Sequence, residues 1–175
     1  MKILGHFRTI TKHRHKVIIN CFKAGIGFQG LFHDLSKYTP AEFLVGAKYY
    51  LGYKSPNDAE RCEKGYSSAW MHHQGRNRHH FEYWHDYDIN TKMPAPVKMP
   101  LKYVKEMFCD RVAASKIYMG GKYDDSKPLD YYMHSKAKNI AHPETAAFLE
   151  NLLIMLSEKG EKETFKYIRG LKGDY

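Results

Sequence analysis

Residues 101–119, LKYVKEMFCDRVAASKIYM, are the stretch of this sequence that decides the fold. Pro100 precedes the stretch as a residue suited to a helix start, and Gly120-Gly121 follows it as a stop signal. Its larger apolar residues lie on or near one face of a helix: Val104, Met107, Phe108, Val112 and Ile117. The stretch therefore predicts one long helix with one face directed at a hydrophobic core.

The segments on both sides of this helix also have the pattern of helices joined by short loops. Residues 39–42, TPAE, and 55–58, SPND, have the composition of helix starts, and Glu42 completes a capping box with Thr39. Residues 77–86 are expected to form a further helix or an irregular extension, and residues 87–99 a loop. The predicted helices cover about 3–23, 30–38, 40–51, 56–75, 101–119, 127–138, 143–159 and 161–169. No strand alternation is found, so we predict an all-α fold.

Length and composition indicate one globular domain over residues 1–175. The chain has 175 residues, 43% of them hydrophobic, and a net charge of +9, which favours anionic partners or simply a solvated surface. No uncharged apolar stretch of about 18 residues is found, so no membrane span is expected. The beginning of the sequence lacks the pattern of a signal peptide, which leads us to expect a cytoplasmic location and reduced cysteines.

Histidine is the residue type that points to function. The chain has 11 His, several of them clustered, and neutral imidazole is the commonest metal ligand among side chains. His13 shares a helix side with Val17, whereas His15 lies about 200° away around the axis and is expected outside the core. The composition therefore favours a metal site that includes His13.

Two further segments carry polar residues that need a partner. The doublet His33-Asp34 lies between apolar residues, and Asp110 lies in the middle of the apolar helix over 101–119. A carboxylate is costly to bury without an arginine, a backbone cap or a metal. The doublet is also compatible with a surface pair, and Asp110 with a salt bridge inside the core. A metal shared by these residues and His13 explains all of them together.

In this order the residues form H…HD…D, which resembles the HD-domain superfamily of metal-dependent phosphohydrolases. The segments around His13 (HRHKV), around His33-Asp34 (HDLSK) and around Asp110 (CDRVAA) are similar to those of the family. The resemblance covers about residues 10–120. It implies an HD-like helical bundle with additional C-terminal helices over about 121–175. The whole chain also resembles a small bacterial family of uncharacterised HD-like proteins.

HD proteins with two metals add two histidines between the doublet and the last Asp. By resemblance, His72 is the first of these here, and His79 or His80 the second. Only seven residues separate the two His pairs, fewer than the family usually has. The alternatives are surface imidazoles, or imidazoles that bind phosphate beside Arg76 and Arg78.

The resemblance implies hydrolysis of a nucleotide or another phosphate ester by a metal-activated water. The ligand types suit one or two ions of Mn, Fe, Co, Ni or Zn. Asp34 would bind the metal and orient the water. Lys37, one turn beyond Asp34, would contact the substrate phosphate, unless it is an exposed lysine at a helix end. Arg76 and Arg78 are further phosphate candidates.

Two other functions stay open at this point. Some HD-fold proteins are di-iron oxygenases with additional histidines and a nearby lysine, which His72, His79, His80 and Lys37 keep possible. A basic helical protein that binds nucleic acid without catalysis is the third hypothesis. It ranks last because the sequence has no recognition helix and no basic stripe.

Overall fold

A computed structural model describes residues 2–135 and 137–175, except for the side chain of Ala137. The chain is mostly helical, so the predicted all-α fold is confirmed. Its α-helices are α1 (Lys2–Lys23), α2 (Gly27–Gly30), α3 (Pro40–Lys48), α4 (Pro56–Lys64), α5 (Ser68–Gln74), α6 (Leu101–Met119), α7 (Lys127–His134) and α8 (Pro143–Gly170). Short 3-10 turns cover Leu35–Tyr38, Phe81–Tyr83, Gly120–Lys122 and Ala137–Ile140. No described helix is both long and apolar enough to traverse a lipid bilayer.

The hydrophobic core lies where α1, α6, α7 and α8 meet. Val17 of α1, Phe108 of α6 and Leu153 of α8 are fully buried there, within one cluster of apolar side chains. Burial of each such side chain contributes about 1.5–3 kcal/mol. The side-chain amide of Asn20 donates to the Cys109 carbonyl oxygen at 3.1 Å, which fixes α1 against α6. The helix predicted over 101–119 is therefore confirmed as the centre of the fold.

Helices α3, α4 and α5 form a smaller layer beside the N-terminal half of α1. The absence of a side chain at Gly46 of α3 allows the ring of His6 to approach, because a Cβ there would lie 2.4 Å from its Nε2. At the end of α3, the Tyr50 hydroxyl is 2.9 Å from Thr9 Oγ1 of α1. These contacts hold α3 and Tyr50 against α1, and together they form one wall of a pocket.

The segment around the His33-Asp34 doublet differs from its prediction. It is not one helix over 30–38: α2 ends at Gly30, and a turn carries the doublet to the 3-10 segment Leu35–Tyr38. Asp34 adopts φ 54° and ψ 26°, the left-handed conformation that non-glycine residues seldom occupy. The turn directs both side chains of the doublet inward, since His33 and Asp34 are each 1% exposed.

Two more boundaries differ from the prediction. The helix expected over 56–75 is broken at Gly65, whose φ of 81° ends α4. Ser67 then begins a new helix by accepting a hydrogen bond from the Trp70 amide at 3.1 Å. The capping box at Thr39 is wrong as well, because the Thr39 hydroxyl donates to the Ser36 carbonyl oxygen and not to α3.

The loop expected over 87–99 contains a short hairpin. Strands β1 (His85–Tyr87) and β2 (Pro94–Pro96) pair antiparallel, with Asp86 opposite Ala95. The turn is closed by Asp88, whose carboxylate accepts from the amides of Asn90 and Thr91, both at 2.8 Å. The sequence lacks alternation here because both strands are exposed or half-buried edges.

The C-terminal helices follow the prediction in outline. The helices expected over 143–159 and 161–169 together form α8, which has a kink at Gly160 (φ 76°, ψ 170°). The helix expected over 127–138 ends at His134, and Lys136 lies outside the described residues. The predicted break at Gly160 is confirmed because this backbone conformation is accessible only to glycine.

Candidate metal centre

The structure brings together the four residues that the sequence pattern grouped. His13 comes from α1, His33 and Asp34 from the turn after α2, and Asp110 from α6. His13 Nε2 is 2.9 Å from Asp110 Oδ1, and His33 Nε2 is 3.2 Å from Asp34 Oδ2 and 3.5 Å from Asp110 Oδ1. One donor atom from each residue lies within 4.8 Å of the others. We call these four residues the HD group.

A second set of donors lies on the other side of Asp34. Asp34 Oδ1 is 3.4 Å from His73 Nε2 and 3.5 Å from His79 Nε2. His80 Nε2 is 3.0 Å from His73 Nε2. Asp34, His73, His79 and His80, which we call the His group, can also hold an ion. Because Asp34 directs one oxygen to each group, it can bridge two ions.

The His group includes His73 in place of the predicted His72. His72 Nδ1 is 2.7 Å from Glu42 Oε1, and His72 belongs to neither group. Adjacent residues of a helix point about 100° apart, so one turn of α5 can direct only one of the two imidazoles toward Asp34. The structure places His73, and not His72, beside Asp34 because the packing of α5 on α3 sets the rotation of α5.

Two glutamates contact the outer nitrogens of the candidate ligand imidazoles. Glu106 Oε1 is 2.9 Å from His33 Nδ1 and 3.4 Å from His79 Nδ1, and Glu42 Oε2 is 2.8 Å from His73 Nδ1. When a carboxylate accepts a hydrogen bond from Nδ1–H, the Nε2 lone pair is left to face an ion, as is common around protein metals. The sequence did not single out Glu106, and it suggested only a capping box for Glu42. The spacing of four residues between Glu106 and Asp110 on one helix was the available signal for Glu106.

Buried polar atoms without hydrogen-bond partners concentrate at the centre. Among the described residues, His13 Nε2, His33 Nε2, His79 Nε2 and both carboxylate oxygens of Asp34 lack a partner in hydrogen-bond geometry. Each of these atoms nevertheless lies within ion-pair distance of another ionisable group. Such atoms are rare in native proteins, because each one costs about 1–3 kcal/mol when it is left unsatisfied. Imidazole nitrogens and carboxylate oxygens together suit divalent transition metals. The donor set therefore fits the metal that the sequence led us to expect.

The charges of the centre favour metal-binding forms of both aspartates. Burial would raise the pKa of the Asp34 carboxyl, but the charges of His33, Lys37 and His73 hold it well below its ordinary value. Burial acts likewise on Asp110, whose pKa is kept well below the usual range by its interactions with His13 and His33. Both carboxyls are thus ionised at neutral pH.

Only one of the predicted phosphate contacts lies at the centre. Lys37 Nζ is 2.5 Å from Asp34 Oδ2. Arg78 is exposed and donates to the hydroxyls of Tyr83 at 3.2 Å and Tyr103 at 3.1 Å. Arg76 is exposed and its nearest acceptor is the His72 carbonyl oxygen at 3.4 Å. The two arginines do not join the centre because their side chains leave the turn on its solvent side.

A family model described as a family of unknown function (DUF5662) matches residues 2–155, most of the chain and all of the residues of the centre. No curated protein and no solved structure matches the chain.

Proposed function

The chain belongs to the DUF5662 family of unknown function, and we propose from its centre that it is a metal-dependent phosphohydrolase of the HD-domain type. Its substrate is a nucleotide or another phosphate ester. The observation that carries the proposal is Asp34, a buried carboxylate whose two oxygens face two separate sets of metal donors. Two ions held by these donors would suit the attack of water on a phosphoryl group.

In the proposed mechanism, the HD group and the His group would each hold one ion. A bound divalent ion acidifies water toward a pKa of about 7 and polarises a phosphoryl oxygen. His13, His33 and Asp110 would hold one ion and the histidines of the His group a second, with Asp34 belonging to both groups. Manganese, iron, cobalt, nickel and zinc all suit these donors.

Lys37 is the residue suited to the substrate phosphate. Its ammonium lies 2.5 Å from Asp34 Oδ2, and its side chain is 29% exposed. Burial would lower its pKa, but the charges of Asp34 and Asp110 raise it, so the group stays positive. An ammonium at the edge of the centre can neutralise a phosphoryl oxygen while Asp34 orients the attacking water.

A di-iron oxygenase on the same scaffold is the second candidate. The observation that favours it is the His group, because His73, His79 and His80 add imidazoles to the HD group. Two equivalents of iron, together with oxygen consumption in the presence of a small organic substrate, would support this candidate over hydrolysis.

Elemental analysis and a hydrolysis screen test the proposal. We expect about two equivalents of transition metal in the purified protein, and release of phosphate from some member of a panel of phosphomonoesters, phosphodiesters and nucleotides. His33→Ala and Asp34→Ala should lose metal and lower hydrolysis by more than about a hundredfold, since even outer partners of metal ligands are worth about 10- to 100-fold.

The matched control is His15→Ala, which removes an exposed imidazole two residues from His13. It should retain both metal and hydrolysis. A wild-type protein that takes up no metal after reconstitution would overturn both enzymatic candidates. Metal without hydrolysis of any phosphate ester would reject the phosphohydrolase alone.

A further inference from the structure

A pocket borders the metal centre on the side of α1, α3 and the beginning of α4. Its lining includes His73 of the His group and Lys37, the residue proposed to contact the substrate phosphate. The lining also includes Lys54, Ser55 and Asn57, which lie outside both metal-binding groups. A molecule whose phosphate sits at the centre can therefore extend into this pocket.

The pocket has an excess of positive charge. Two lysines, Lys37 and Lys54, line it, and Glu42 is the one carboxylate among its lining residues. The two oxygens of Glu42 are already engaged by His72 and His73. Within residues 2–135 and 137–175, no carboxylate lies within ion-pair distance of Lys54. Lys54 therefore offers its charge to a molecule in the pocket.

The beginning of α4 lies beside Lys54 and adds to this charge. Ser55 and Asn57 flank the helix start at Pro56, and the Ser55 side chain makes no capping hydrogen bond. The N-terminus of a nine-residue helix carries a partial positive charge, which favours anions. Asp58, the acidic residue of this first turn, is paired with Arg61 at 2.8 Å.

A buried histidine in the pocket wall independently indicates a ligand. His6 is 6% exposed, and its Nδ1 has no hydrogen-bond partner in the part of the chain that the structure describes. The ring is fixed between Phe43 and Tyr50, at centroid distances of 5.4 and 5.8 Å. Burial, reinforced by the charge of Lys37, lowers the His6 pKa to about 4, so the ring is neutral at pH 7. It provides a fixed, uncharged hydrogen-bonding group for a polar ligand.

We propose that this pocket binds a second anionic group of the substrate, a carboxylate or a phosphate, at Lys54 and the N-terminus of α4. The inference rests on the proposed function, in which the phosphate to be hydrolysed lies at the metal centre beside Lys37. It narrows the substrate class from phosphate esters in general to small esters that carry an anionic group at each end.

Three phosphonates that cannot be hydrolysed test this inference by calorimetric titration of the metal-loaded protein. Propylphosphonate has one anionic end, 3-phosphonopropionate adds a distal carboxylate, and propane-1,3-diyl bisphosphonate adds a distal phosphonate. We expect at least one of the two doubly anionic probes to bind about tenfold more tightly than propylphosphonate, because it gains a charge-assisted contact. The tighter of the two identifies the kind of anion that the pocket prefers.

Variants of Lys54 locate the contact. Lys54→Met should abolish the tenfold preference and leave propylphosphonate binding and metal content unchanged, and Lys54→Arg should retain the preference. The matched control is Lys162→Met, which removes the same charge from an exposed position on α8. The control should keep the preference, which excludes a general effect of net charge.

The outcomes separate this inference from the proposed function. Metal uptake and propylphosphonate binding without any preference for the doubly anionic probes would overturn the inference alone. A preference that survives in Lys54→Met, or disappears in Lys162→Met, would also overturn it. Failure to take up metal or to bind any of the three probes would reject the proposed function and this inference with it.

Discussion

At the scale of single residues, Asp34 has three features that each reduce the stability of the fold, and a purely structural residue would need none of them. It is 1% exposed, its Oδ1 has no hydrogen-bond partner among the described residues, and its φ of 54° is unfavourable for a residue with a Cβ. Strain of this kind costs about 1–3 kcal/mol and concentrates at functional sites. A bridging role between two ions accounts for all three features.

Asp34→Asn should retain the fold and lose the metals. Asparagine tolerates the left-handed conformation and has nearly the same volume, but its neutral amide cannot bridge two cations. We expect metal content to fall from about two equivalents to less than one, measured by elemental analysis, with an unchanged circular dichroism spectrum. Asp124→Asn, at an exposed turn, is the control that should keep both ions. Full occupancy in Asp34→Asn would contradict the bridging role.

Glu106 should act through the two imidazoles that it holds. Burial would raise its pKa, but hydrogen bonds with His33 and His79 lower it to about 2, so it accepts from both rings as a carboxylate. Glu106→Gln should weaken metal binding about 10- to 100-fold, measured by competition with a chelating dye. Glu150→Gln, on α8, is the matched control. Equal affinities in the two variants would show that Glu106 does not position the ligands.

At the scale of elements, the rotation of α1, α5 and α6 about their own axes decides which of their side chains face the centre. Glu106 and Asp110 are one turn apart on α6, so the same face presents a candidate outer partner and a candidate metal ligand. On α5, the rotation of the helix brings His73, and not His72, beside Asp34. The packing of these helices on the core therefore determines which of their polar residues reach the candidate centre.

The kink in α8 provides a prediction at this scale. Gly160→Ala should destabilise the protein by about 1–3 kcal/mol, because alanine is strained at φ 76° and ψ 170°. Steric contact adds little, since the nearest atom to a Cβ there is Asp125 Oδ2 at 3.5 Å. Urea unfolding measures the change. Gly121→Ala, with open space around its Cβ, should stay within about 0.5 kcal/mol; a similar loss in both variants would refute the role of the kink.

At the scale of the whole molecule, the metal centre joins elements that are distant in sequence. Its donors come from α1, the turn after α2, α5, the segment before Phe81 and α6. Bound ions would link these elements, and they would provide partners for the buried ligand atoms of the centre. Metal binding and the stability of the fold are therefore expected to be linked.

Removal of the metals should lower the free energy of unfolding. A ligand present at a hundred times its dissociation constant stabilises a protein by about 2.7 kcal/mol for each site. Thermal unfolding with and without a chelator measures this effect, and we expect a lower midpoint in the chelated protein. Asp34→Asn serves as the control, because it holds less metal and its midpoint should respond less to the chelator. An equal response in both proteins would mean that the chelator acts elsewhere.

The sequence by itself determined the class of the fold and one half of the centre. Apolar spacing predicted the helix over 101–119, and the separate helices expected over 143–159 and 161–169 placed a break at Gly160, since both depend on local chain properties. His13, His33, Asp34 and Asp110 were recognised as a group because polar residues within apolar segments need a common partner. Their convergence could be predicted without knowledge of the path that the chain takes between them.

Only the tertiary structure decided the other half of the centre, which consists of the His group and the glutamate beside it. The turn at His33-Asp34 requires a left-handed residue that local pattern does not signal, so the segment had the appearance of a helix. The choice of His73 over His72 depends on the rotation of α5, and the role of Glu106 on its proximity to His33 and His79. These outcomes follow from helix packing, which fixes the direction of each side chain through contacts between residues far apart in sequence.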